Sequence, residues 1–132
     1  MDSRELLKIA EEARFNAYVP YSKFRVGAAL LTSDGKVYTG CNIESASFGA
    51  TNCAERTAIF KAISEGEKKF VKLAVASDNS DKNQPTWPCG ICRQVIVEFA
   101  DDIQIITGSS KGDIIEINIK DLLPHYFAKG DF

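Results

Sequence analysis

Two segments with helical apolar spacing, Cys53 to Glu65 and Cys89 to Ala100, are each lodged between runs of β character. That alternation restricts the fold more than any other feature. A helix between two strands of one sheet carries the chain back across it, so each segment predicts a right-handed crossover with parallel flanking strands. The remaining signals fit around this frame. Asp2 and Glu5 have capping-box spacing, and Leu6, Ala10, Ala13 and Ala17 follow on one face, predicting a helix to about Tyr18 that Pro20 closes. Arg25 to Thr32 and Lys36 to Ile43 are β-rich and joined by Ser33-Asp34-Gly35, whose Asp-Gly pair predicts an antiparallel hairpin.

In the second helix Ala54, Ala58, Ile59, Ala62 and Ile63 should face the core, with Gly66 ending it. Phe70 to Ala76 reads as a buried strand. In the third helix the apolar stripe runs through Ile91, Val95, Ile96 and Phe99. Ile103 to Thr107 and Asp113 to Ile119 are joined by a connection too short to cross a sheet, so they should pair antiparallel. A short helix near Asp121 to Leu123 follows. The expected fold is α/β: a three-layer α/β/α sandwich around a mixed five-stranded sheet, with residues 1–132 forming a single catalytic domain.

Composition narrows the function. The chain has 132 residues, 45% apolar and 26% charged, which suits a globular domain with its own core. Its 16 Lys and Arg against 18 Asp and Glu leave a net charge of −2, without the basic footprint that a long nucleic acid requires. No apolar run approaches the length of a membrane span. Met1-Asp2-Ser3-Arg4-Glu5 lacks the layout of a signal peptide, so the expected compartment is the cytoplasm. Cysteines kept reduced there are better suited to metal ligation or catalysis than to disulfides.

Three of the four cysteines stand at helix starts: Cys53 opens the second helix, and Cys89 and Cys92 open the third with C-x-x-C spacing. Free N–H groups and the positive dipole end at those positions favour thiolate. If the helices emerge from adjacent parallel strands, their N-termini meet at one sheet edge, where open α/β sheets place ligands. Three convergent thiolates make a zinc site. The fourth position decides between structure and catalysis: neither Cys41 nor His125 belongs to a short ligand pair, and a site with only three protein ligands leaves room for water, which zinc polarises. On a regular helix Glu55 would diverge from Cys53 by about 200°. The two converge only if Cys53 occupies the cap, and Glu55 then stands beside the water as a proton carrier. Arg56 could hydrogen-bond a ligand sulfur and withdraw part of its charge.

The blocks Cys53-Ala54-Glu55 and Pro88-Cys89-Gly90-Ile91-Cys92 resemble the three-cysteine zinc deaminase signature. Pro20-Tyr21-Ser22-Lys23-Phe24, Val26-Gly27-Ala28-Ala29, Gly40-Cys41-Asn42-Ile43-Glu44, Thr51 to Ala58 and Cys92-Arg93-Gln94-Val95 are similar to the homotetrameric cytidine deaminases, in the same order and over nearly the whole chain. This resemblance implies one zinc per chain and hydrolysis of cytidine and 2′-deoxycytidine to uridine and 2′-deoxyuridine, with ammonia released. It further implies that water activated by zinc attacks C4 while Glu55 moves protons to ring N3 and to the departing amine. Phe24 would pack on the base, Asn42 and Glu44 would bind the ribose, and Ala54 would touch the substrate. Phe127 would stack on the substrate of a neighbouring subunit in a homotetramer.

Ser45 and Phe48 depart from the family's usual asparagine and tyrosine, and Trp87 replaces a small residue before Pro-Cys, where it either narrows the mouth of the site or covers the zinc loop. Three rival functions compete with the deaminase reading. A thioredoxin-like role for Trp87 to Cys92 would need a proline between the cysteines and would leave Cys53 and Glu55 without a task. A closed structural zinc module would tolerate Glu55→Gln. A deaminase for another small heterocycle would share the zinc core, so the discrimination rests on Phe24, Asn42 and Glu44, and the presence of both ribose-binding candidates favours the nucleoside.

Overall fold

The computed structural model describes residues 1–132. Its strands are β1 (Val26–Thr32), β2 (Val37–Cys41), β3 (Phe70–Ser77), β4 (Gln104–Gly108) and β5 (Ile114–Asn118), and its helices are α1 (Ser3–Ala13), α2 (Ala54–Ser64), α3 (Gly90–Phe99) and the single turn α4 (Ile119–Leu122). The five strands form one sheet in the order β2-β1-β3-β4-β5, with only β3 and β4 paired parallel. Alternation along the strands sorts the core into two layers. Ala28, Leu30, Leu73, Val75 and Ile105 pack against α2, α3 and α4, whereas Ala29, Leu31, Ala74, Ala76 and Ile106 pack against α1. These are the three layers and mixed sheet that the sequence predicts. No helix is long and apolar enough to cross a membrane.

The position of β1 corrects one expectation. The strands preceding α2 and α3, β2 and β3, run in the same direction but are not adjacent, because β1 lies between them and is antiparallel to both. The burial pattern explains this: six of the seven β1 residues are buried, as a central strand covered on both faces requires, while β2 is only partly buried and sits at an edge. Two further boundaries shift. The first helix is α only to Ala13 and tightens into a 3₁₀ turn over Arg14–Asn16. On α3 the buried stripe is Cys92, Ile96 and Val97, while Ile91 and Phe99 face outward.

Local chemistry sets the helix ends. The Asp2 carboxylate accepts from the Glu5 N–H, satisfying one free donor of α1. At the end of α2, Gly66 adopts φ 95°, its N–H bonds the Ile63 carbonyl and the Glu67 N–H bonds the Ala62 carbonyl, which is a Schellman closure.

Helix α2 lies so close over β2 that a Cβ at Gly40 would overlap the Ala54 carbonyl and the Ala58 backbone nitrogen. This contact brings the start of α2 down onto the sheet edge. Gly40→Ala is therefore expected to destabilise the protein by about 2–3 kcal/mol through overpacking, lowering Tm by roughly 5–12 °C in a thermal melt.

Candidate active site

Cys53 is the N-cap of α2 and Cys89 the N-cap of α3, both with extended backbone (φ −76°, ψ 157° and φ −68°, ψ 169°), and Cys92 lies in the first turn of α3. The non-helical cap conformation at Cys53 is the condition under which its side chain and that of Glu55 converge. All three sulfurs lie within 4.8 Å of one another, and Cys53 Sγ and Cys89 Sγ are 3.8 Å apart. Two thiolates held about 2.3 Å from a tetrahedral zinc stand about 3.8 Å apart, whereas a disulfide requires about 2.0 Å. The donor set therefore fits zinc and does not fit an oxidised pair. Cys41 and His125 are not part of this cluster.

The electrostatics favour metal-binding sulfur. A hydrogen bond with Cys92, and after it one from the Arg56 guanidinium, draws Cys53 toward thiolate. The same sharing, with burial after it, pushes Cys92 up. Arg56 Nη2 donates to Cys53 Sγ at 3.3 Å, the contact with a ligand sulfur that the sequence predicts. Glu55 is 4% exposed, and burial pushes its carboxyl up to about 7.

Cys53, Cys89 and Glu55 open into a cleft of about 170 Å³ walled by Phe24, Asn42, Ala54, Thr86 and Trp87. Trp87 thus forms part of the wall. Glu44 lines a neighbouring depression of about 430 Å³ with Tyr21, Ser22, Ser45 and Phe48. Phe127 lies elsewhere, in a third hollow with Gln94 and Tyr126, and is 59% exposed. One chain therefore brings together the cysteines, Glu55, Arg56, Phe24, Ala54 and Asn42, sets Glu44 next to them, and leaves Phe127 apart.

Asn42 serves the backbone as well as the cleft. Its Oδ1 accepts from the Val26 N–H and its Nδ2 donates to the Phe24 carbonyl, both at 2.9 Å, pinning the segment that carries Phe24. Sequence reasoning missed the groups that hold the cysteine loop. Buried Thr107 donates to the Thr86 carbonyl and accepts from the Thr86 N–H, while the Ser77 and Thr86 hydroxyls pair with each other. The Arg93 guanidinium donates to the carbonyls of Pro88 and Leu122. Isolated hydroxyls carry no sequence signal, because their partners arrive from other strands; Arg93, beside a ligand cysteine in a recognised block, carried one.

Comparison with known proteins agrees with this geometry. Residues 1–108 match the family described as cytidine and deoxycytidylate deaminase zinc-binding region. The chain is 52% identical over 132 residues to a cytidine deaminase of Halalkalibacterium halodurans, covering 99% of this chain and 98% of that one. It is 51% identical to a cytidine deaminase of Sporosarcina psychrophila, covering 99% and 95%. The crystal structure of cytidine deaminase from Burkholderia pseudomallei superposes with a TM-score of 0.89 at 44% identity, covering 96% of this chain and all of that one. The fold and cysteine cluster are those of a zinc-dependent deaminase. The chain belongs to the cytidine and deoxycytidylate deaminase family.

Protein purified without chelator is expected to contain one zinc per chain by elemental analysis. Cys92→Ala should retain less than about one-tenth of it, since two thiolates cannot close the site.

Proposed function

We propose that this chain hydrolyses the 4-amino group of cytidine and 2′-deoxycytidine, yielding uridine and 2′-deoxyuridine and releasing ammonia, with residues 1–132 acting as one catalytic domain. The observation that carries this reading is the meeting, at one small cleft, of a cluster of three sulfurs spaced for a metal and a buried glutamic acid. Cys53, Cys89 and Cys92 would hold one zinc. When bound, that ion would supply Lewis acidity that makes water a better nucleophile.

The chain's own groups do the rest. Glu55 takes a proton from the attacking water and delivers it to ring N3, where it remains in the product. It then carries the proton of the new C4 hydroxyl to the departing amine, which leaves as ammonia. A carboxyl near neutrality can both accept and return a proton at pH 7, the condition such a shuttle needs. Arg56, through its bond to Cys53 Sγ, draws charge from a ligand sulfur and keeps the three-thiolate set from quenching the metal's acidity.

Substrate placement follows from the two adjoining spaces. A cleft of about 170 Å³ is below the usual range of roughly 300–1,000 Å³ for whole small-molecule sites, so it takes the base and leaves the sugar outside. Phe24 then packs on the ring, Ala54 leaves room beside it, and Asn42, in the cleft wall, and Glu44, in the larger depression, receive the sugar hydroxyls. Phe127, exposed and remote from this cleft, would complete the site of a neighbouring copy in a homotetramer. Support for assembly comes from apolar side chains left on the surface, including Phe48 at 81%, Ile91 at 63% and Tyr18 at 59% exposure. A cluster of reduced thiolates is also consistent with residence in the cytoplasm.

Glu55→Gln is expected to retain zinc and fold normally, but to lose about 10³-fold or more in kcat, followed by the ultraviolet loss of cytidine. Equal turnover by the variant would remove Glu55 as the proton carrier, whereas zinc retention with no turnover by the unaltered protein would point to a structural zinc module. Phe127→Ala should raise KM for cytidine while sedimentation still reports the assembled species. A variant with unaltered KM would remove Phe127 from the site.

A further inference from the structure

We propose that Ser22 is a positioning residue for the reaction, its hydroxyl locking the carboxylate of Glu44 and the backbone of Phe24 into one unit. The inference rests on the reading that Phe24 meets the base and Glu44 the sugar. The hydroxyl has one hydrogen and two lone pairs. It donates to Glu44 Oε2 and accepts from the Phe24 N–H at 3.0 Å, so a single oxygen joins the two residues assigned to opposite ends of the substrate.

The surrounding geometry leaves Ser22 no equivalent. Glu44 Oε1 accepts from the Tyr21 and Ser22 N–H groups, both at 3.1 Å, which fills that oxygen. A carboxylate offers about four acceptor directions, so with Ser22 on Oε2 one direction remains for a substrate hydroxyl. Ser22 thereby decides which one is free. Its bond to Glu44 is also the largest influence holding that carboxyl below its ordinary range, keeping it an acceptor.

On the other side, the turn leading to Phe24 is strained. Lys23 adopts φ 61°, a left-handed conformation that costs a non-glycine residue energy and persists only where neighbours hold it. The Lys23 N–H bonds the Val19 carbonyl at 3.1 Å, and the Phe24 N–H bonds Ser22 Oγ, the two contacts that close the turn. Asn42 fixes the Phe24 carbonyl, so Ser22 and Asn42 hold the two backbone groups of Phe24 between them. Ser22 is exposed and lies outside both core clusters, so removing its hydroxyl should leave the fold intact.

The test compares Ser22→Ala, Ser22→Thr and Glu44→Gln on the zinc-loaded enzyme, with cytidine and 2′,3′-dideoxycytidine as substrates. Ser22→Ala is expected to raise KM for cytidine about tenfold, the effect of losing one hydrogen bond to a charged group, with kcat within about twofold. Ser22→Thr should restore KM. The penalty should shrink with the dideoxy substrate, which lacks the hydroxyls that Glu44 would receive; a serine that merely stabilised the turn would penalise both substrates alike. An unchanged KM in Ser22→Ala, a parallel fall in kcat, failure of threonine to rescue, or equal penalties on the two substrates would each overturn the proposal. Glu44→Gln separates the role of Ser22 from that of Glu44. If its KM for cytidine rises while Ser22→Ala is silent, only the role of Ser22 fails, whereas an unaltered Glu44→Gln removes the sugar assignment itself.

Discussion

The rest of the structure depends on two helix N-termini meeting at one sheet edge with a cysteine at each cap. A cap residue has extended backbone, so its side chain points back across the mouth of the helix rather than out along its flank. This turns Cys53 and Cys89 toward each other and lets Glu55 reach the same space as Cys53. Helical backbone at Cys53 would send those two side chains to nearly opposite faces, and Glu55 would separate from the sulfur cluster. The free N–H groups and dipoles of both helices also favour negative charge at that point.

The sheet is built to hold these caps in place. The Gly40–α2 approach sets one helix start, and the Thr107–Thr86 and Ser77–Thr86 bonds set the loop that delivers Cys89. Both supports come from β-strands of the sheet: Gly40 from β2, Ser77 from β3 and Thr107 from β4. Arg93 adds a further tie, joining the carbonyl before Cys89 to the C-terminal segment at Leu122. The cysteine-bearing helix starts are thus tied to the sheet, while Phe24 ends the loop from Tyr18 to Phe24. That loop is organised by Asn42 and Glu44, so these two side chains build the recognition surface as well as lining it.

Much of this was legible in the sequence because it depends on local chemistry. The Asp34-Gly35 turn, the Gly66 stop and the Cys53-Ala54-Glu55 and Cys89-x-x-Cys92 spacings each act within a few residues, and the structure realises all of them. The outward faces of Ile91 and Phe99 were not legible. Their spacing satisfies a helical period, yet the stripe that meets the sheet is offset to Cys92, Ile96 and Val97, because Cys92 must point inward at the cluster and so sets the rotation of α3.

The sequence by itself determined the element order, the three sulfur ligands, the buried acid beside them and the family to which they belong, since each is a matter of residue type at short spacing. Only the tertiary structure decided that β1 separates β2 from β3, that Asn42 grips the Phe24 carbonyl and the Val26 N–H, and that Ser22 bridges Phe24 and Glu44. Strand order is settled by competition for buried positions across the whole sheet, which the heavily apolar β1 wins. The hydrogen-bond partners of a lone serine or asparagine are likewise settled by whichever backbone groups the folded chain leaves within about 3 Å.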